Sequence, residues 1–202
     1  MNHLSKIIVL KNRYIGIRHG ESLCNVYGIL NGDLNFSNEY PLSEDGRNRV
    51  IRNINSAFEI GFLKSPLIIF SSPFLRAKET AEILSKKSKK SPVHLAYDLR
   101  ERDFLSLERQ SNNWGRLLWD FDKKDPNHHY KNSENPLEMQ ERTTIFVKEL
   151  EKMYNEETIV FVSHGDTLRN LEASFYNLSL NQAIEKIKLQ EPGEIREYLL
   201  KR

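Results

Sequence analysis

One cysteine, Cys24, stands among the 202 residues. That scarcity excludes an intrachain disulfide framework and makes a reducing cytoplasm the expected compartment. Long apolar runs are missing too. No stretch approaches the roughly 20 residues that cross a bilayer. Met1–Arg13 has no signal-peptide pattern, so no membrane association is expected. Charge of one sign is also lacking. The net charge is only +2, and the 29% of charged residues carry both signs, as a solvated surface does. That balance argues against a nucleic-acid partner. Short-spaced sets of His, Cys, Asp and Glu are absent, so neither a metal nor another cofactor is expected. Repeats, low-complexity tracts and linkers are absent as well. The length suits one domain over residues 1–202, with a sizeable core.

What is present is an alternation of strand and helix patterns. Lys6–Leu10 and Arg13–Ile17 are short apolar runs divided by Lys11-Asn12, read as one bulged strand or a small hairpin. Asn31–Tyr40 reads as a loop. A helix follows Pro41, with Ser43 as its N-cap and Val50, Ile54, Ala57 and Phe58 on one face. Arg47, Arg49 and Arg52 read as its solvated face. Pro66–Ser71 reads as a buried strand, with a helix from Pro73 to about Lys87. Val93–Tyr97 predicts a strand, Asn113–Asp122 a helix, and Pro136–Asn155 a long amphipathic helix. Thr158–Val162 predicts a strand, Thr167–Tyr176 and Leu180–Lys188 helices, and Glu194–Leu200 a terminal strand after a Pro192-Gly193 turn. Such alternation predicts an α/β fold, a three-layer α/β/α sandwich around a mostly parallel central sheet.

Two of the strands lead into echoing segments. Tyr14–Ile17 runs into Arg18-His19-Gly20-Glu21-Ser22, and Thr158–Val162 runs into Ser163-His164-Gly165-Asp166-Thr167. The carboxyl ends of strands are where open α/β sheets build ligand crevices. Two histidines distant in sequence can therefore meet at one crevice. Glycine after each lets backbone approach a bound group. Arg18 adds a planar donor fork suited to phosphate. Arg76, just inside a helix that follows a strand, can reach the same crevice. Asp98–Phe104 supplies carboxylates where a general acid is needed. Asn25, three residues after Ser22, can return to the same anion. His3, His94, His128 and His129 stand outside this set, and Cys24 reads as a packing residue rather than a nucleophile.

With these motifs in order, the chain resembles the histidine phosphatase superfamily, also called the phosphoglycerate-mutase-like family. The resemblance runs from about Ile15 to Ser174. It rests on Arg-His-Gly-Glu-Ser-x-x-Asn, Ser-Ser-Pro-x-x-Arg-Ala-x-x-Thr-Ala, Leu-Arg-Glu-Arg-Asp-Phe and Val-Ser-His-Gly. It implies that His19 attacks phosphorus and becomes phosphohistidine. It implies that Arg18 and Arg76 grip the phosphoryl oxygens, that His164 is the second histidine at the phosphate, and that the backbone at Gly165 lies nearby. Glu101 matches the proton donor to the leaving oxygen, although Asp98, Asp103 and Glu108 compete with it on residue type. Asn25 and Ser22 match further phosphate or pocket contacts. The implied activity is a metal-independent phosphomonoesterase acting on a phosphorylated small molecule. Alternatives are a phosphoglycerate mutase-type phosphotransferase, a phosphoprotein phosphatase and a regulatory binding protein of the same fold. A short segment after the acid favours water as acceptor.

Two features depart from the family's pattern. Gly-x-x-Glu-Gly commonly follows the acid, but here Leu105-Ser-Leu-Glu108-Arg109 stands in its place. Without glycine the backbone is expected to take positive φ less readily, giving a different loop. The insert Leu34–Tyr40 either lines the pocket mouth or is a surface loop. Residues 108–136, with Trp114, Trp119, His128, His129 and Tyr130, are expected to cap the crevice, their aromatics serving substrate contact or packing.

Overall fold

The computed structural model describes residues 1–201. Five strands form one sheet: β1 (Arg13–Arg18), β2 (Ile68–Ser71), β3 (Val93–Leu95), β4 (Thr158–Ser163) and β5 (Ile195–Tyr198). Their order is β3-β2-β4-β1-β5, with all pairs parallel except the antiparallel β1–β5 edge. The helices are α1 (Leu23–Tyr27), α2 (Glu44–Glu59), α3 (Leu75–Lys87), α4 (Asn113–Lys124), α5 (Pro136–Met153), α6 (Gly165–Phe175) and α7 (Leu180–Lys186).

Alternation within the strands builds both faces of the sheet. Ile15, Ile17, Ile69, Val160 and Val162 pack with Val50, Ile54 and Ala57 of α2 and Ala77, Ala81 and Leu84 of α3. Tyr14, Phe70, Ile159 and Phe161 face the other way, onto Val147 and Leu150 of α5 and Leu168, Leu171 and Phe175 of α6. The result is the expected α/β/α sandwich. Local chemistry sets the helix starts. Ser43 Oγ accepts from Gly46 N at 3.0 Å. Asn135 Oδ1 accepts from Glu138 N at 3.0 Å, with Pro136 at the first helical position of α5.

The topology positions the site. The chain leaves β1, passes to β2 and β3, then returns to place β4 between β2 and β1. In the parallel β1–β4 pair, Arg18 lies opposite Ser163. His19 and His164, the next residues, therefore leave the sheet at the same level.

Some local expectations change. Lys6–Leu10 forms turns, with Ile8 and Val9 exposed, rather than a strand. Both edges of β1 are already taken by β4 and β5, so no hairpin partner has room. Helix α3 starts at Leu75, so Pro73 precedes it rather than opening it. Helix α6 begins two residues before the expected Thr167, which puts Gly165 at its amino terminus.

The segment after the acid is a further correction. Leu105 and Arg109 take φ of 43° and 62° without glycine. Glu108 supplies a reason. Its carboxylate accepts from Asn31 Nδ2 at 3.1 Å, Gly32 N at 2.8 Å and Asp33 N at 3.1 Å. Those bonds impose the loop's shape despite the steric cost of the left-handed region.

Candidate active site

A cavity of about 330 Å³ opens at the carboxyl ends of β1 and β4. Arg18, His19, Asn25, Arg76, Glu101 and Gly165 all line it, joined by Asn31 and by Trp119 of α4. His164 is fully buried against them, its ring centroid 5.0 Å from that of His19. Widely separated segments thus converge on one point.

The histidine tautomers follow from their partners. His19 Nδ1 lies 2.6 Å from the Gly20 carbonyl, which can only accept, so Nδ1 carries the proton. Nε2 keeps its lone pair and accepts from Arg76 Nε at 3.2 Å. His164 Nδ1 accepts from Arg76 Nη2 at 3.2 Å, and its Nε2 donates to Ser72 Oγ at 2.7 Å. Burial, then the Arg76 charge, holds both imidazoles well below their ordinary range. Both rings are neutral at physiological pH.

Arg76 occupies the centre. Besides the two rings it donates to Asn31 Oδ1 at 2.5 Å and to the Asn31 carbonyl at 2.8 Å. Arg18 donates to the Gln190 carbonyl at 2.6 Å, whereas its buried Nε has no partner among the described residues. An orphan buried donor facing an arginine-lined cavity calls for an anion. Gly165 makes room for that guanidinium, because a Cβ there would lie 3.3 Å from Arg18 Cζ. Gly20 is required for packing: a Cβ would meet Val50 Cγ2 at 2.6 Å. The amino terminus of α6, starting at Gly165, adds unsatisfied N–H groups and a positive dipole end.

Of the four competing acidic side chains, Glu101 alone lines the cavity. Desolvation by burial, helped by the Asp166 carboxylate, pushes it up to about 7. Glu101 Oε1 accepts from Arg102 N at 2.8 Å, and Oε2 lies 3.7 Å from His164 Nδ1. Asp166 is held by Trp119 Nε1 at 2.9 Å and Arg169 Nη2 at 2.9 Å.

Other expected residues fall further out. Ser22 is fully buried behind the cavity wall and does not line it; its hydroxyl donates to Asn25 Oδ1 at 2.9 Å. Its place in the starting turn of α1 uses its hydrogen bonds locally. Cys24 is buried at the wall, 3.1 Å from Ser22 Oγ. Residues 34–40 stay outside the lining; Phe36 stacks under Arg109, and the Ser37 carbonyl accepts from Leu75 N at 2.8 Å. In the 108–136 segment Asn112, Gly115, Arg116 and Trp119 reach the cavity, while Tyr130 stacks on Phe121 at 4.3 Å. Three residues escaped sequence reasoning: Asn31, Ser72 and Thr80. Thr80 Oγ1 accepts from Gly20 N at 3.1 Å and joins α3 to the His19 turn. Ser72 and Thr80 stood inside a recognised motif, but Asn31 sits in a polar loop with no local signal.

Comparison with known proteins decides the family. The histidine phosphatase superfamily (branch 1) matches residues 15–196. The chain belongs to that superfamily.

A metal-independent phosphoserine phosphatase from Arabidopsis thaliana is 26% identical over 193 residues, 87% of this chain and 75% of the relative. Among solved structures, a mycobacterial glucosyl-3-phosphoglycerate phosphatase in complex with VO3 has a TM-score of 0.78 at 22% identity, covering 92% of this chain and 91% of the other. A mutant phosphoserine phosphatase from Entamoeba histolytica, complexed with phosphoserine, has a TM-score of 0.73 at 21% identity, with 92% and 89% covered. Both share the superfamily's fold with this chain. No helix among the described residues is long and apolar enough to cross a membrane.

Proposed function

We propose that this superfamily member is a metal-independent phosphomonoesterase that acts on a small phosphorylated molecule through a phosphohistidine at His19. The observation that carries the reading is the neutral Nε2 of His19 beside Arg76, in one cavity with a carboxyl group pushed up to about 7.

Phosphoryl transfer needs in-line attack and dispersed positive charge around the equatorial oxygens. Arg18, Arg76 and the amino end of α6 supply that charge. His19 Nε2 attacks phosphorus with its lone pair, and the ester P–O bond breaks. The Nδ1 proton stays bonded to the Gly20 carbonyl, which orients the ring and spreads the positive charge of the phosphohistidine. Glu101, protonated near neutral pH, gives its proton to the departing alkoxide. Glu101, now a carboxylate, takes a proton from water, whose oxygen attacks phosphorus and releases His19. Asn31 holds Arg76 in place, and Asn25 faces the phosphate from α1. The helix α4, in the proposed cap over residues 108–136, walls the leaving-group side.

The relatives are named as phosphatases of phosphoserine and of glucosyl-3-phosphoglycerate, which supports a small phosphomonoester and water as acceptor. One buried cysteine suits a reducing cytoplasm. The donor set supports metal independence: two arginines face the anion, and among the described residues no three His, Cys, Asp or Glu side chains gather. A panel of phosphomonoesters with excess EDTA tests the proposal. Phosphate release within about twofold of the chelator-free rate is expected, since no charge-stabilising ion is removed. Loss of activity, restored by a divalent ion, would refute it, and phosphate appearing on added alcohols rather than in solution would favour a transferase.

A further inference from the structure

Glu101 lies between two arginines whose side chains leave the cavity. Arg100 Nη2 donates to Glu134 Oε1 at 3.0 Å and covers the Tyr97 ring. Arg102 reaches α4 and grips Asp122 with both ends of its fork, Nη1 to Oδ2 at 2.8 Å and Nη2 to Oδ1 at 3.0 Å. Its Nε donates to the Glu134 carbonyl at 2.7 Å. The pair is dry, with side-chain exposures of 0% and 3%. His128 backs it, with Nε2 2.7 Å from Asp122 Oδ1. His128 Nδ1 accepts from Tyr130 N at 3.0 Å, so Nε2 carries the proton and donates to Asp122.

A buried ion pair adds little net stability over an apolar pair of equal volume. Its distinctive contribution is geometric, because a bidentate fork has one orientation. Here the fork fixes residue 102, whose backbone N–H donates to Glu101 Oε1. With that oxygen held, Oε2 is the one directed past His164 Nδ1. Arg102 and Asp122 themselves do not line the cavity. Trp119, three residues before Asp122 on the same helix, does line it.

We propose that Asp122, backed by His128, positions the Glu101 carboxyl through the Arg102 fork, so that the helix walling the leaving-group side also sets the aim of the proton donor. The proposal rests on Glu101 being the general acid. Arg102, Asp122 and His128 act as positioning residues. The charged and titratable groups facing Glu101 are Asp166, Arg76, Arg18 and His164, and none of them is altered by a change at Asp122.

The test compares parent, Asp122→Asn and Glu101→Gln in single-turnover phosphoenzyme formation from an alkyl phosphate and from nitrophenyl phosphate. Vanadate inhibition reports whether the phosphate site is intact. Asp122→Asn is expected to slow the alkyl ester about tenfold or more and the nitrophenyl ester less than about threefold, because only the alkoxide needs the aimed proton. Vanadate inhibition should stay unchanged. Equal slowing of both esters, or of neither, overturns the proposal while Glu101→Gln keeps its leaving-group dependence. Loss of that dependence in Glu101→Gln overturns the general-acid reading and the proposal with it. Should Asp122→Asn fail to bind vanadate, Arg102→Met combined with Asp122→Leu takes its place. That pair fills the volume without orphaning a buried charge, and the same ratio of effects is expected.

Discussion

Arg76→Met separates the anion-binding role of this arginine from any structural one. Arg76 is 2% exposed, and no carboxylate among the described residues pairs with it. Its partners are Asn31 and the two neutral histidines. A buried cation without a counter-ion costs several kcal/mol, and a bound phosphate is the group that would offset this. Methionine keeps the stem and removes the charge. The two bonds to Asn31 disappear, at about 1 kcal/mol each, against relief of the unpaired charge. The unliganded variant should therefore be within about 2 kcal/mol of the parent, and relief of the charge can make it the more stable. Catalysis should fall about a hundredfold, because a charge-assisted hydrogen bond to the phosphoryl group stabilises the transition state by roughly 3 kcal/mol. Inorganic phosphate at ten times its Kd should stabilise the parent by about 1.4 kcal/mol. The variant should lose most of that gain at the same concentration. Thermal melts with and without phosphate, alongside single-turnover rates, measure both effects. An undiminished phosphate shift with an undiminished rate would return Arg76 to a packing role.

The pH profile is set by two groups. Phosphoenzyme formation from alkyl phosphates needs protonated Glu101, so its rate should be level just below pH about 7 and fall about tenfold per unit above it. The acidic limb belongs to His19, held below the ordinary imidazole range by burial and Arg76. Asp166→Asn removes a carboxylate that raises Glu101, so the alkaline limb should move to lower pH; an upward shift would contradict the assignment. At Leu105, with φ of 43° and 52% exposure, glycine relieves left-handed strain of about 1–2 kcal/mol. It returns about 0.5–1 kcal/mol to the unfolded chain's entropy. Leu105→Gly should thus raise the melting temperature with activity kept, and a lower melting temperature would show the loop is unstrained.

Much of this architecture was readable from short-range pattern. Ile159, Phe161, Val160 and Val162 alternate because the β4 strand is buried on both faces, and the run marks a central strand. The two His-Gly turns declared themselves by following such runs. What escaped depends on distant partners. Lys6–Leu10 is as apolar as a strand, but β5, nearly two hundred residues away, occupies the edge it would need. Leu105 and Arg109 lack glycine, yet Glu108 bonding across to Asn31, Gly32 and Asp33 holds the loop shape. Asn31 itself is one asparagine among several in a polar stretch, and only the fold shows it under Arg76. Ser22 sits in the signature but spends its hydroxyl on Asn25. The Arg102–Asp122 fork joins residues that no sequence period relates.

The central claim is that His19 Nε2 becomes phosphorylated during turnover. Rapid acid-free quenching with a labelled phosphomonoester, followed by peptide mass spectrometry, tests it directly. The account predicts an acid-labile, alkali-stable phosphoryl group on the peptide carrying His19, formed and lost at rates compatible with turnover and absent from His19→Ala, which should be folded and inactive. Label on another residue, or full turnover by His19→Ala, would contradict it.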